Sequence, residues 1–144
     1  MPDTLSPRLR EIVDALPLRT GMRVLEIGCG PGAAARAVAH RIGNGHVLAI
    51  DRSAKAIAQA IAGSSTEIAD GRLSFRQVSA EEFALLPAEA HFDLAFAVRV
   101  GVLDGRHPRD GIIARRRIAA ALSKDGSLYI DGGEPLLRVD LAEC

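Results

Sequence analysis

A glycine-rich corner carries most of the chemistry that this sequence predicts. The apolar run at residues 24–27 is interrupted by Glu26 and is followed by the alternating glycines Gly28, Gly30 and Gly32. Glycine lets a ligand touch the main chain and permits backbone angles that other residues resist. An alanine-rich helical stretch follows, so the segment predicts a strand, a bare loop and a helix N-terminus, which together form a ligand-binding corner.

The spacing of the glycines at this corner has two common interpretations. Gly28, Gly30 and Ala33 satisfy the dinucleotide pattern Gly-x-Gly-x-x-Ala, and a tight turn that needs glycine only for packing gives the same spacing. Against a dinucleotide, Glu26 places a carboxylate where a pyrophosphate would be repelled. Pro31 also removes one backbone N–H that would otherwise bind phosphate. These residues favour a ligand without phosphate groups.

Length and composition limit the wider possibilities. The 144 residues fit one domain, residues 1–144, and 48% of them are apolar. Acidic and basic residues balance at 18 each, so no net field favours nucleic acid or anionic lipid. No apolar run reaches the length of a membrane span, and the first residues lack a signal-peptide core. Cys29 and Cys144 show no metal spacing, and a disulfide between them is not expected. The chain is therefore predicted to be a reduced, cytoplasmic protein.

Strand and helix patterns alternate along the chain. We expect strands at residues 23–27, 47–50, 73–78, 92–98 and 127–131, and helices at residues 6–16, 32–42, 54–62, 81–86 and 108–122. This alternation predicts an α/β fold whose mostly parallel five-stranded sheet is covered by helices on both faces. Ligands of such sheets bind at the carboxyl ends of the strands, where the glycine corner, Asp51, Ser79 and Ala97 all fall.

Three local expectations follow from the same patterns. Residues 63–71 are expected to form a loop, and residues 124–126 a turn before the fifth strand. In the last helix we expect the inner face to carry Ile112, Ile113, Ile118 and Leu122.

At these positions the chain resembles the class I S-adenosylmethionine-dependent methyltransferases. Their glycine motif is matched by residues 26–32, their second-strand acid by Asp51, their Phe-Asp-Leu strand by residues 92–94, and their glycine turn by residues 124–128. The resemblance covers about residues 20–133 in the right order and spacing. It implies a Rossmann-like three-layer αβα sandwich that binds S-adenosyl-L-methionine.

The resemblance also implies which residues line the cofactor site. Glu26 either faces the cationic part of the cofactor or braces the loop by accepting backbone N–H bonds. Free N–H and C=O groups of the loop are expected to serve the amino-acid end of the cofactor. The full predicted set is Glu26, Gly28, Cys29, Gly30, Gly32, Asp51, Arg52, Ser79, Ala80, Glu81 and Ala97.

Asp51 and Ser79 each have a structural alternative. Asp51 is expected to accept hydrogen bonds from the ribose hydroxyls, because Ser53 is better placed to cap the helix that starts near residue 54. Ser79 stands where the family usually has an acid that binds the adenine amino group, and Glu81 compensates for it. Alternatively, Ser79 caps the next helix in a capping box with Glu82.

For activity, the resemblance implies methyl transfer to an unidentified small-molecule acceptor by in-line displacement. Positioning supplies much of such a barrier, so no catalytic base is nominated, and no metal is expected. Arg99 either orients an anionic substrate or the cofactor carboxylate, or is a solvated loop residue, and the solvated residue is the favoured interpretation. His107 lies near the same edge of the sheet. It could act as a base, but a single histidine in a loop is more often structural or solvent-facing.

The C-terminal region is short for this family. We expect residues 136–141 to fold back antiparallel on the fifth strand and to form its edge. If they do not pair, a homodimer is a natural way to cover the open edge. The shortened C-terminus also keeps an alternative function open, namely a cofactor-binding module that needs a partner chain or acts by interaction without catalysis.

Overall fold

Strands and helices alternate in the computed structural model, which describes residues 5–142. The strands are β1 (Arg23–Ile27), β2 (His46–Asp51), β3 (Leu73–Gln77), β4 (Phe92–Ala97), β5 (Leu122–Ile130) and β6 (Leu137–Val139). The helices are α1 (Pro7–Ala15), α2 (Ala33–Ala39), α3 (Ala54–Ala62), α4 (Ser65–Ala69) and α5 (Pro108–Ala121).

All six strands form one sheet in the order β3-β2-β1-β4-β5-β6. The first five strands run parallel, whereas β6 pairs antiparallel with β5, with Leu128 opposite Val139 and Ile130 opposite Leu137. The mostly parallel sheet and its antiparallel C-terminal edge are thereby confirmed, although β6 is shorter than residues 136–141. Because β6 covers the edge of β5, the argument for a homodimer from an open β5 edge no longer applies.

Apolar side chains are buried on both faces of the central strands. On β1, Val24 packs with α1 and α2, while Leu25 packs on the opposite face with α5. Three of the five aromatic residues sit deep in the core, where Phe83, Phe92 and Phe96 are at most 1% exposed. Burial on both faces explains why β1 and β4 read as mostly apolar runs, in which Arg23, Glu26 and Asp93 are the charged exceptions.

Three of the expected helices and loops are wrong or shifted. The helix expected at residues 81–86 is a turn, in which Glu82 and Phe83 donate backbone hydrogen bonds back to Ser79 and Ala80. The segment packs Phe83, which is 1% exposed, into the core instead of propagating a helix. The loop expected at residues 63–71 contains the one-turn helix α4, and α2 ends at Ala39, three residues before the expected end.

The predicted inner face of α5 is partly wrong. Ile112 and Ile113 are 45% and 42% exposed, whereas the buried positions are Gly111, Ala114, Ile118 and Ala121. The helix lies so close to the preceding loop that a Cβ on Gly111 would come within 2.7 Å of the Val102 carbonyl oxygen. Small residues therefore face the core at the start of α5, and the isoleucines are turned outward.

The turn expected at residues 124–126 lies inside β5. Phe92 pairs with Leu122, and Leu94 pairs with Ser127, so one intervening residue of β4 lies opposite four intervening residues of β5. The intervening residues form a bulge that keeps both ends of β5 in the sheet. The glycine turn of the sequence is thus an irregularity within one strand.

Candidate functional site

Two cavities lie side by side at the carboxyl ends of β1 and β4, the point where the strand order reverses. The first cavity has a volume of about 350 Å³ and extends over the ends of β2 and β3, where Asp51, Ser79 and Ala80 line it. The second cavity, of about 230 Å³, lies between the glycine loop and α1. This is the place where open α/β sheets bind their ligands.

Nine of the eleven predicted site residues line one or both cavities. The first cavity is lined by Gly28, Asp51, Arg52, Ser79, Ala80 and Glu81, and the second is lined by Glu26, Gly28, Cys29 and Gly30. Gly28 belongs to both. These nine residues come from the ends of three strands, β1, β2 and β3, and the fold brings them together as expected.

Gly32 and Ala97 line neither cavity. Gly32 has a φ of +90° at the start of α2, and a Cβ there would lie 3.2 Å from the Ala60 Cβ atom and 3.3 Å from the Phe75 ring. It is required for close packing of α2 against its neighbours. Ala97 is 1% exposed and belongs to the core beneath the site.

The glycine loop, residues 28–32, uses all of its N–H groups within the protein. Gly28 and Cys29 donate to the Ile50 carbonyl oxygen, Gly30 donates to Asp51 Oδ2, and Gly32 donates to the Cys29 carbonyl oxygen. Pro31 has no N–H. The expectation of free N–H groups in this loop is therefore wrong. Since the bare main chain offers no donor to a phosphate, the loop suits a cation better than an anion.

Asp51 fastens the glycine loop to the end of β2. Its Oδ2 atom accepts the Gly30 N–H at 2.9 Å, and its Oδ1 atom accepts the Ser53 N–H at 2.9 Å. Each carboxylate oxygen keeps capacity for a second hydrogen bond. Ser53 itself caps α3 through the Ala56 N–H, as expected, so Asp51 is left to brace the loop and to face the first cavity.

Glu26 is a buried acid with an unsatisfied atom. Its residue is 3% exposed, and no described residue bonds to its Oε1 atom. Burial and the negative charge of Asp51 raise the pKa of Glu26 from 4.5 to about 8, and the positive charge of Arg36 opposes the rise. A buried carboxyl oxygen without a partner, lining the second cavity, is an acceptor available to a cationic or hydrogen-bonding ligand.

The raised pKa of Glu26 makes stability depend on pH. The folded chain binds the proton more tightly than the unfolded chain, so the free energy of unfolding falls as pH rises from about 4.5 and levels off above about 8. In Glu26→Gln we expect this part of the slope to vanish, leaving the variant more stable than the wild type by about 1–3 kcal/mol near pH 9. Urea denaturation at acidic and basic pH measures the difference, and parallel pH profiles for the two proteins would contradict it.

Cys29 is a shielded thiol of the second cavity. Burial, with Glu26 and Asp51 nearby, raises the pKa of Cys29 to about 12. Its Sγ atom lies 3.5 Å from the Gly30 carbonyl oxygen, to which it donates. A thiol held protonated in this way is a poor nucleophile, so Cys29 contributes shape to the cavity. Cys144 lies outside the described residues.

Ser79 pairs with Glu82, but the capping box of its structural alternative is wrong, because the Ser79 side chain accepts no backbone N–H from the described part of the chain and no helix begins there. Its Oγ atom donates to Glu82 Oε1 at 3.1 Å, although the helix that this pair was expected to cap is a turn. Ser79 also lines the first cavity beside Ala80 and Glu81. Arg52 is exposed at the edge of the same cavity.

The loop after β4 and helix α1 complete the two cavities. Arg99 lines both cavities, and Arg8 lines the second. Asp131, just after β5, contacts both arginines. Its Oδ1 atom accepts the Arg99 N–H at 2.9 Å, and its Oδ2 atom lies 3.7 Å from Arg8 Nη2. Sequence reasoning missed Arg8, because the pattern of α1 defines its buried face but not the strand ends that the helix covers.

His107 and Asp110 also reach the first cavity, from the start of α5. Both residues are exposed. Within residues 5–142, no group of three or more His, Cys, Asp and Glu side chains is arranged to hold a metal ion. None of the helices in the same range has the length and apolar content needed to span a bilayer.

The strand order, the glycine loop after β1 and the acid at the end of β2 define a Rossmann-like nucleoside-binding fold. Residues 24–126 match the family model described as "Methyltransferase domain". The match covers well over half of the chain, which therefore belongs to this methyltransferase family. The resemblance inferred from the glycine corner is confirmed.

Solved structures agree on the fold. An S-adenosylmethionine-dependent methyltransferase from Thiobacillus denitrificans, in complex with S-adenosyl-L-homocysteine, is 23% identical with a TM-score of 0.67, over 90% of this chain and 50% of that one. Phosphoethanolamine N-methyltransferase 1 from Haemonchus contortus, in complex with phosphoethanolamine and S-adenosylhomocysteine, is 21% identical with a TM-score of 0.71. The match covers 85% of this chain and 24% of that one.

A third structure is a putative methyltransferase from Haloferax volcanii in complex with the Trm112 methyltransferase activator. It is 21% identical with a TM-score of 0.69, over 84% of this chain and 49% of that one. The present chain thus spans about half or less of the length of these three proteins. No curated protein matches it in sequence.

Proposed function

We propose that this chain is an S-adenosylmethionine-dependent methyltransferase, acting as one unit on a small-molecule acceptor. The observation that carries the proposal is the glycine loop, whose N–H groups are all used internally, beside the unsatisfied oxygen of Glu26. S-adenosylmethionine has a sulfonium, an ammonium and a carboxylate, but no phosphate. Carbonyl oxygens and an acid suit its cationic groups, whereas a dinucleotide would meet no donor in this loop.

The two cavities suit the two ends of this cofactor. In the proposal the first cavity binds adenosine, with Asp51 accepting from the ribose hydroxyls and Ser79, Ala80 and Glu81 beside the base. The second cavity binds the amino-acid end, with Glu26 and the loop carbonyls facing the ammonium. Gly28 lines both cavities and has no side chain, so the ligand passes from one to the other against the main chain.

The cofactor, when bound, supplies an activated methyl group on a sulfonium leaving group. What the protein contributes is placement: Asp51 holds the loop, and the loop holds the nucleoside between β1 and β4. Helix α1 covers the second cavity through Ser6, Arg8 and Leu9 and limits the access of water. Orientation of two reactants contributes about 7–11 kcal/mol in favourable cases, so the proposal requires no acid–base residue.

A thermal-shift comparison tests the proposed cofactor. S-adenosylhomocysteine at about 100 times its Kd adds about 2.7 kcal/mol to stability, which raises Tm by roughly 5–10 °C for a chain of this size. NAD at the same concentration is expected to leave Tm unchanged. A shift with NAD alone would reverse the assignment. Transfer of tritiated methyl groups to small-molecule pools then tests catalysis.

A second candidate function is a cofactor-binding module that works only with a partner chain. The observation that favours it is the Haloferax volcanii neighbour, which forms a complex with an activator protein. In this case the thermal shift with S-adenosylhomocysteine persists, but no methyl group is transferred by the chain alone. The two measurements therefore separate the two functions.

A further inference from the structure

Arg99 has a backbone conformation that L-residues rarely adopt. Its φ of +57° lies in the left-handed region, at the carboxyl side of the central strand β4. For a residue other than glycine this conformation costs about 1–2 kcal/mol. Asp131 holds it in place by accepting the Arg99 N–H at 2.9 Å. Strained residues of this kind cluster at functional sites, so the conformation indicates a role for the side chain that it directs.

Arg99 lies at the junction of the two cavities. It lines both of them, and Gly28 is the other residue that does so. If adenosine occupies the first cavity and the amino-acid end the second, the sulfonium lies at this junction. The following inference therefore rests on the proposed function.

The guanidinium of Arg99 is available to a ligand. Among residues 5–142, no side chain or backbone oxygen accepts a hydrogen bond from it, since its one bond to Asp131 runs through the main chain. The residue is exposed. A guanidinium beside a sulfonium is repelled by it, and an anion placed between the two cations relieves the repulsion.

Two anions are candidates for that position: the cofactor's own carboxylate and an anionic group of the acceptor. The cofactor carboxylate belongs to the amino-acid end, deep in the second cavity, where Arg8 supplies a separate cation. A phosphate requires several donors, and the glycine loop has none left to give. A carboxylate needs only the two parallel N–H groups of one guanidinium.

We propose that Arg99 recognises a carboxylate on the methyl acceptor, so that the enzyme selects small carboxylic acids over their uncharged analogues. The carboxylate serves as the anchor of the acceptor, and Asp131 holds the Arg99 backbone in place through its N–H. Sequence reasoning favoured a solvated loop residue here. Arg99 is an exposed loop residue, as that interpretation expects, and the proposal of a binding role rests on its left-handed backbone and its place at the cavity junction.

The test uses the full chain saturated with S-adenosylhomocysteine, with benzoate and benzamide as matched probes at millimolar concentrations in ligand-observed NMR. We expect benzoate to bind the wild type about tenfold more tightly than benzamide, as one charge-assisted contact allows. In Arg99→Gln the preference is lost, and in Arg99→Lys part of it returns. Arg109→Gln is the control, because Arg109 is exposed and lines neither cavity.

The affinity for S-adenosylhomocysteine distinguishes the remaining outcomes. We expect it to stay within about twofold of the wild type in Arg99→Gln. A tenfold loss would assign Arg99 to the cofactor carboxylate and overturn the proposal. Equal binding of both probes, or no binding of either, would also overturn it. If the wild type fails to bind S-adenosylhomocysteine at all, the proposed function fails instead.

Discussion

Gly30→Ala is expected to lower the affinity for S-adenosylhomocysteine about 100-fold while leaving the fold nearly as stable as in a matched control. Gly30 has a φ of +54°, and an added Cβ meets no heavy atom within 4 Å. The methyl group therefore clashes with nothing in the protein. Because Gly30 lines the second cavity, the space that the methyl group takes is space that the ligand needs.

Gly71→Ala is the control for this prediction. Gly71 has a φ of +77°, and its added Cβ likewise meets no heavy atom within 4 Å, but it lines neither cavity. Both variants bear a similar backbone cost of about 1–2 kcal/mol. Calorimetric titration with S-adenosylhomocysteine and thermal denaturation measure the two quantities. Equal affinity of the two variants would show that the ligand does not approach the main chain at Gly30.

Asp51→Ala is expected to weaken cofactor binding by tenfold or more and to destabilise the fold. The substitution removes the acceptor for the Gly30 and Ser53 N–H groups and, in the proposal, for the ribose hydroxyls. Hydrogen bonds to a charged group contribute about 1.5–3 kcal/mol each. Because Ser53 is exposed and Gly30 is only half-buried, water replaces part of these bonds in the variant. We therefore expect a loss of about 1–3 kcal/mol in the free energy of unfolding, measured in urea, and a parallel loss of affinity by calorimetry.

Two further variants make this prediction specific. Asp51→Asn keeps one acceptor oxygen and places an N–H donor beside another donor, so its affinity falls between those of the wild type and Asp51→Ala. Asp70→Ala removes an exposed acid that pairs with Arg72 at 2.8 Å, far from the cavities. An exposed pair of this kind contributes under about 1 kcal/mol. If Asp70→Ala and Asp51→Ala bound the cofactor equally well, Asp51 would have no part in the site.

The sheet was the most predictable part of the molecule. The central strands β1, β2 and β4 are short and mostly apolar, and alternation with helices leaves little choice of topology. The two errors in helical packing have a common origin. The outward turn of Ile112 and Ile113 depends on how closely Gly111 approaches Val102, and the failed helix at residues 81–86 depends on the burial of Phe83. Both are properties of tertiary contact that local patterns do not contain.

The site was predictable where residues follow strands and unpredictable where they come from loops and α1. Asp51 and Ser79 stand at strand ends, whose position in the sheet follows from topology. Arg8 and the backbone conformation of Arg99 depend on Asp131, which is 123 positions from one and 32 from the other. No spacing in the sequence connects them. The internal use of every N–H in the glycine loop was hidden for the same reason, because it needs the register of β1 against β2.

That internal bonding has a kinetic consequence. A loop whose donors are all satisfied holds its shape without help from water or ligand, and no dihedral angle in it has to change when a nucleoside arrives. The entropic cost of ordering the loop is met during folding, so we expect the association rate to depend on entry of the ligand past α1. After the ligand dissociates, we expect the loop to keep the conformation that binds the next molecule.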